Sequence, residues 1–154
     1  MAGQITKWLP GLRRRVMRTP GLPAQVATSA RTSVLLECAP ENSPMLVAAI
    51  LDRADLDVIV CEGPKVAERC PVATGGGCAA VREADVVVNA LGTRTPELAE
   101  VLPAVLHAGV DPSSVVVMGR RHDPAVAGVR QVGPHVRADE LIDEVRAAAQ
   151  RSPR

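Results

Sequence analysis

The sequence predicts a three-layer α/β sandwich with a five-stranded parallel sheet in the order 2-1-3-4-5. Short apolar runs rich in β-branched residues, at 34–38, 58–61, 85–90 and 115–118, are typical of strands buried on both faces of such a sheet. Helical patterns separate these runs, as right-handed crossovers between parallel strands require. In this order the strand that follows Asp85 is central. Its end, at residues 89–92, then lies at the carboxyl edge, the side of the sheet where all strands end and where such folds place their sites.

The first two strands and the helix between them are clear local predictions. The first strand covers Ser33–Cys38 and the second covers Asp57–Cys61. Between them, Ser43 is placed to cap a helix and Pro44 suits the first helical position, so a helix runs to about Arg53. By the period of two, alternate residues share a face of the sheet: Val34, Leu36 and Cys38 in the first strand, Ile59 and Cys61 in the second.

The connection from Glu62 to Ala84 is the least regular part of the chain. Pro64 favours a turn of helix over residues 65–69, which Cys70-Pro71 ends. Residues 75–77 are three consecutive glycines and predict a loop, and a short helix fits residues 78–83.

The second half of the domain begins with a strong helix signal. Thr95 is a cap, Pro96 and an acidic residue follow it, and Gly109 is placed to end the helix. Apolar residues at helical spacing lie between them: Leu98, Val101, Leu102, Val105 and Leu106. A fourth strand at 114–118, a short fifth strand at 129–132 and a closing helix marked by Leu141, Ile142, Val145 and Ala149 complete the predicted domain.

Composition divides the 154 residues into a basic arm at 1–32, one α/β domain at 33–150 and a short tail at 151–154. Six of the 18 basic residues and none of the 17 acidic residues lie within residues 1–36, so the remainder is net acidic. Trp8 is the only aromatic residue, which disfavours base stacking on single-stranded nucleic acid. No effector domain follows the α/β domain in this sequence, and we expect no sequence-specific nucleic-acid binding.

The basic arm has two interpretations that stay open. Arg13, Arg14 and Arg15 lie among apolar residues at helical spacing, which suits contact with a protein partner or, through residues 1–20, with an anionic membrane surface. The other interpretation is a solvated tail. No apolar run reaches the roughly 18–20 residues of a membrane span, and no clean signal peptide is present. We therefore expect a cytoplasmic protein. The alternative is a cytoplasmic protein that is also in peripheral contact with the membrane.

The order and spacing of these elements resemble a response-regulator receiver domain over roughly residues 33–150. The resemblance rests on the strand after Ala84-Asp85, the Val132-Gly133-Pro134 step and the closing segment at 139–146. It implies a site at the carboxyl edge with an acidic pair for a divalent metal, a phosphoacceptor aspartate, a hydroxyl residue and a lysine. In this sequence the matching positions hold other residues: Glu37 and Cys38 with Glu41 further on, Asn89 or Ala90, Gly119, and Gly133.

Each of these departures removes a chemical group that phosphoryl transfer needs. An amide or a methyl group cannot serve as the carboxylate nucleophile, and a single acid is a weak site for a hard cation. Without the lysine, no cation neutralises the phosphate charge. The resemblance therefore implies a degenerate receiver, or pseudo-receiver. It would act as a non-catalytic regulatory or protein-interaction module with a protein partner and no cofactor.

The four cysteines indicate an alternative function, that of a redox or metal-binding protein that works through thiolates. This alternative, unlike the pseudo-receiver, would allow the protein to be an enzyme. Cys38 and Cys61 end neighbouring strands, and Cys70 and Cys78 lie in the irregular connection. Four thiols suffice for zinc, although no Cys-x2-Cys spacing is present, and Cys70 with Cys78 would make a redox pair. The other interpretation gives the cysteines no chemical role: Cys38 and Cys61 are small core residues, and Cys70 and Cys78 are incidental.

Two further signals at the carboxyl edge are weaker. A cysteine that ends the first strand is also similar to phosphocysteine enzymes, but proline stands six residues after Cys38 where the phosphatases have arginine. Arg120 and Arg121 follow the fourth strand and are candidates for contact with an anion or a partner carboxylate. A solvated loop is the alternative for that pair.

Overall fold

The computed structural model describes residues 31–65, 67–119 and 127–151. These residues form a five-stranded, all-parallel sheet with the order β2-β1-β3-β4-β5, which confirms the predicted fold class. The predicted basic arm with Arg13, Arg14 and Arg15, and the pair Arg120 and Arg121, lie outside the described residues.

The strands are close to their predicted bounds. They are β1 at Ser33–Cys38, β2 at Asp57–Cys61, β3 at Val86–Ala90, β4 at Val115–Met118 and β5 at Arg130–Val132. Every residue of β3 is buried, as expected for the central strand. Its valines, fully removed from water, each contribute roughly 1.5–3 kcal/mol.

Two apolar cores cover the two faces of the sheet. One face packs against α1 (Pro44–Arg53) and α5 (Ala138–Ala149). The other packs against α2 (Ala79–Glu83), α3 (Pro96–Ala99) and α4 (Val101–His107). The predicted strand faces are confirmed: Val34, Leu36 and Cys38 lie on the α1 face, and Ile59 and Cys61 lie on the opposite face.

The start of α1 differs from the prediction in one respect. Pro44 is the first helical residue, but the Ser43 side chain makes no capping hydrogen bond. The reason is that Ser43 has a left-handed backbone, with φ of 55°, because a short 3-10 turn at Pro40–Asn42 precedes it. Instead, its carbonyl accepts hydrogen bonds from the N–H groups of Leu46 and Val47.

The long helix predicted from Thr95 to Gly109 is two helices, α3 and α4, that meet at Glu100. Pro103 explains the interruption, because it has no N–H to donate to the carbonyl of Ala99. Both ends are as predicted. Thr95 Oγ1 accepts the N–H of Leu98 at 3.4 Å, and Gly109 has a positive φ of 95° just beyond α4.

The connection after β2 is irregular, as predicted. Within the expected helical turn at 65–69, the described residues, which exclude Val66, belong to no helix, and the Glu68 N–H donates to the Lys65 carbonyl. The short helix predicted at 78–83 is confirmed as α2. Among the described residues, no helix has both the length and the apolarity to cross a membrane.

Gly63, two residues after β2, allows this connection to turn against the sheet. It has a φ of +78°, and a Cβ added there would lie 2.8 Å from Leu91 Cδ2 and 3.0 Å from Leu98 Cδ2. Gly63→Ala is therefore expected to lower the free energy of unfolding by about 2–3 kcal/mol, from backbone strain and overpacking together. Urea unfolding measures the loss.

Gly75→Ala is the matched control for Gly63→Ala. Gly75 has nearly the same φ, +77°, but a Cβ there has no atom within 4 Å. The control therefore reports the backbone penalty alone, about 1 kcal/mol. Equal losses in the two variants would contradict the packing of residues 62–64 against Leu91 and Leu98.

Candidate functional site

Glu37 and Asn89 form a buried polar pair near the carboxyl edge. The register of the parallel strands β1 and β3 places them side by side, on the face of the sheet that packs against α2 and α4. Asn89 Nδ2 donates to Glu37 Oε2 at 2.7 Å. Only 2% of Glu37 and 5% of Asn89 is exposed. Each residue is thus the other's partner in a region that otherwise consists of apolar side chains.

Burial raises the pKa of the Glu37 carboxyl to about 7. The cause is desolvation of the charged form, and the hydrogen bond from Asn89 lowers the pKa by less than burial raises it. Glu37 therefore carries a proton for much of the time at neutral pH. A hard divalent cation prefers clustered, ionised oxygens, and this carboxyl does not offer them.

Two side-chain contacts hold the loops at this edge together. Asn42 Nδ2 donates to the carbonyl of Ala90 at 2.8 Å, which fastens the β1–α1 turn to the end of β3. Further out, Glu41 Oε1 lies 3.9 Å from Arg94 Nη1 in an exposed ion pair between the same two loops. Glu41 therefore pairs with a cation and does not join Glu37 as a second acid.

The remaining predicted positions of the degenerate site lie at strand ends. Ala90 is the last residue of β3 and is buried on the α1 face. Gly119 follows β4 and donates its N–H to the Val132 carbonyl at 3.1 Å, and Gly133 follows β5. The fold thus places these residues at the ends of the strands predicted for them, and neither glycine has a side chain to offer a substrate.

The cysteines are divided between the two faces of the sheet. Cys38 belongs to the α1-side core, whereas Cys61, Cys70 and Cys78 pack against the core on the other face. All four are free. Within residues 31–65, 67–119 and 127–151, no group of three or more His, Cys, Asp or Glu side chains has an arrangement that could hold a metal ion. The geometry therefore does not favour the thiolate metal hypothesis.

Cys38 lacks the properties of a phosphocysteine. It is fully buried, and its Sγ lies 3.6 Å from the carbonyl of Asn42 and 3.7 Å from that of Ala39, so carbonyl oxygens surround it. Burial, with a smaller effect from Glu41, raises the pKa of the Cys38 thiol to about 11. A protonated, buried thiol is a poor nucleophile.

Sequence reasoning missed Asn42 and Arg94, the two residues that fasten the loops. Asn42 precedes the helix start at Ser43-Pro44, and the capping signal of that start carries no information about the Asn42 side chain. Its signal is an amide in the short turn between a buried strand and a helix, where Asn side chains often bond to the backbone. Arg94 follows the predicted central strand by a few residues, and its acidic partner lies in a different loop.

Comparisons with known proteins identify the fold and nothing finer. The N-terminal domain of a response regulator/sensory box/GGDEF three-domain protein from Carboxydothermus hydrogenoformans has a similar crystal structure, with a TM-score of 0.50 and 17% sequence identity. The match covers 77% of this chain and 93% of that domain. No protein-family model and no curated protein sequence matches the chain. The α/β domain therefore has a receiver-like fold.

Proposed function

We propose that this protein is a regulatory module of receiver-like fold that works by binding a protein partner and does not accept a phosphoryl group. The observation that carries the proposal is the buried hydrogen bond between Asn89 and Glu37. In receivers, the end of the third strand presents a carboxylate nucleophile to solvent, next to a metal held by acids of the first strand. In this chain the two strands instead bind each other through an amide and a carboxyl.

The environment of the pair supports the same proposal. The amide of Asn89 is not a nucleophile for phosphate, and Ala90 has no polar side-chain atom. The high pKa of Glu37 weakens its hold on a metal, and Gly133 supplies no cation for the phosphate charge. Since the nucleophile, the metal acids and the cation are all affected, one substitution would not restore the chemistry.

Support for binding comes from the first turn of α1. Met45 and Leu46, 47% and 62% exposed, are the large apolar side chains of the described residues that solvent reaches most. They directly follow the β1–α1 turn at the carboxyl edge. A small apolar patch beside a polar rim is typical of a protein-contact surface.

A phosphodonor assay tests the proposal. The purified chain, incubated with acetyl phosphate and Mg²⁺, is expected to gain no phosphoryl mass in intact-protein mass spectrometry. A receiver domain with an intact phosphoacceptor aspartate in the same reaction is the positive control. The wild-type chain should also retain a specific partner from source-cell extract equally well with and without phosphodonor.

Leu46→Glu separates partner binding from folding in that assay. It places a charge in the exposed patch, so it should release the partner and leave the unfolding midpoint unchanged. Asp52→Lys, a charge change at an exposed position of the same helix, is the control that should retain the partner. A hydroxylamine-labile phosphate on the wild-type chain would overturn the proposal.

A further inference from the structure

Met45 is the sulfur-containing side chain that solvent reaches most within the described part of the chain. Its exposed fraction is 47%. The other sulfur side chains described are buried or only partly exposed: Cys38, Cys61, Cys70, Cys78 and Met118. The most accessible sulfur is therefore a thioether and not one of the thiols. The proposed function uses the surface of Met45 and does not use its chemistry.

The exposure of Met45 follows from its position in α1. It is the second residue of the helix, directly after Pro44. Side chains of a helix tilt toward its N-terminus, so Met45 leans past the first turn, where no earlier turn of the helix can cover it. Val47, Ala48 and Leu51 hold the other side of the helix against the sheet. Met45 itself belongs to neither of the two buried cores.

Oxidation of a thioether requires access to the sulfur and no loss of a proton. A thiol, in contrast, reacts with peroxide as its thiolate. Burial raises the pKa of both Cys38 and Cys61 to about 11, so these two thiols stay protonated at neutral pH. Met118 is also a thioether, but it packs against the α1-side core. Met45 thus combines access with a sulfur atom that is reactive without deprotonation.

We propose that Met45 is a modification site, where peroxide forms methionine sulfoxide and removes the apolar character of the exposed patch of Met45 and Leu46. This inference rests on the proposed function, because it assigns a regulation to the same contact surface. The sulfoxide converts a flexible apolar side chain into a polar one. Its oxygen accepts hydrogen bonds from water, and these would be lost against an apolar partner surface. The oxidised chain stays folded and binds the partner less tightly.

The chemistry balances with one hydrogen peroxide per methionine. The sulfur lone pair attacks one peroxide oxygen and breaks the O–O bond. The hydroxide that leaves takes the proton of the transferred OH group, which gives one sulfoxide and one water. Sulfur loses two electrons and peroxide gains them. Methionine sulfoxide reductases, one for each sulfoxide epimer, reverse the product. They release the oxygen as water and take two electrons from two thiols.

Peptide mapping measures the selectivity. The folded, reduced chain is treated with limiting hydrogen peroxide at about pH 5, where thiols are protonated and thioethers still react. Trypsin then releases residues 32–53 with Met45 and residues 95–120 with Met118, one methionine in each peptide. We expect the Met45 peptide to gain an oxygen several-fold faster, with fragment ions placing it on Met45 and not on Cys38. The two reductases should remove it. Equal rates for the two methionines would overturn the proposal.

Hydrophobic-interaction chromatography of the folded chain measures the loss of the patch. Oxidised wild type should elute earlier than reduced wild type. Met45→Leu keeps the apolar surface without a thioether, so it should elute like reduced wild type before and after peroxide. Met45→Gln should elute early without peroxide. Circular dichroism shows that each form is folded. Unchanged retention of oxidised wild type, or an equal shift in Met45→Leu, would overturn the proposal.

Partner retention distinguishes this inference from the proposed function. Reduced wild type should retain the partner, oxidised wild type should lose most of it, and Met45→Leu should retain it in both conditions. Equal retention by reduced and oxidised wild type would overturn the inference and leave the proposed function standing. A reduced chain that retains no partner would instead overturn the proposed function, and with it the regulation of binding, whatever the peptide maps show.

Discussion

Replacing Glu37 by glutamine is expected to stabilise the protein by about 3 kcal/mol near pH 8 and by less than about 1 kcal/mol near pH 5. Glutamine keeps an oxygen that accepts the hydrogen bond from Asn89 and removes the charge that burial penalises. Few single substitutions at a buried polar position increase stability, so the direction of the effect is diagnostic.

The sign follows from the pKa of Glu37 in the two states. It is about 7 in the folded chain against an ordinary value of 4.5, so between these values the folded state holds a proton that the unfolded state has released. Stability contributed by this group is present in full below the lower value and is lost as pH rises through the higher one. At 1.36 kcal/mol per pKa unit, the loss is about 3 kcal/mol.

Urea unfolding of wild type and Glu37→Gln at several pH values between about 5 and 8 measures this difference. Glu41→Gln is the matched control, because that carboxyl is partly exposed, lies close in sequence and has only a surface ion pair. It should follow the wild type within about 1 kcal/mol at every pH. Parallel pH profiles for wild type and Glu37→Gln would show that Glu37 is not buried as an acid.

The sheet was predictable because its signals are local. The short apolar runs at 33–38 and 57–61 and the buried valines of 86–88 specify strands whatever their neighbours are, and alternating helices leave few orders for a parallel sheet. The interruption at Glu100 was missed because the apolar spacing around Val101 and Val105 is helical, and Pro103 does not disturb that spacing. It removes one backbone donor, which a hydrophobic pattern does not register.

The candidate site was predictable only as a set of strand ends. The resemblance placed Glu37 and Asn89 at the same edge of the sheet. Their hydrogen bond, however, depends on the register of β1 with β3, and 52 residues separate the two along the chain. The shifted pKa of Glu37 depends in turn on the helices that cover that face. Likewise, the grouping of Cys61 with Cys70 and Cys78 needed the path of an irregular connection, which no periodicity specifies.

Asn89→Asp should be the most destabilising change at this site, with a loss of roughly 3–5 kcal/mol near pH 8. It replaces the amide donor, 2.7 Å from Glu37 Oε2, by a second acid. Two buried carboxyls at that distance cannot both be ionised, so at least one proton must be held at a pH where the unfolded chain binds none. The loss should shrink near pH 5, where protonation is less costly.

Urea unfolding at both pH values measures the loss, with Gln131→Glu as the control. Gln131 is exposed on the edge strand β5, so the same change from amide to acid there should cost within about 0.5 kcal/mol. The double variant Glu37→Gln with Asn89→Asp restores one amide and one acid in exchanged positions. It should recover most of the stability, with a coupling energy of up to about 3 kcal/mol.

The same variant bears on the proposed function. If the carboxyl at position 89 is buried and shares a proton with Glu37, the Asn89→Asp variant should remain unphosphorylated in the acetyl phosphate assay. This is expected even though the substitution restores the residue type that receivers use. Phosphorylation of Asn89→Asp with wild-type stability near pH 8 would mean that position 89 faces solvent as in a working receiver. The buried pair, and with it the argument against phosphoryl transfer, would then fail together.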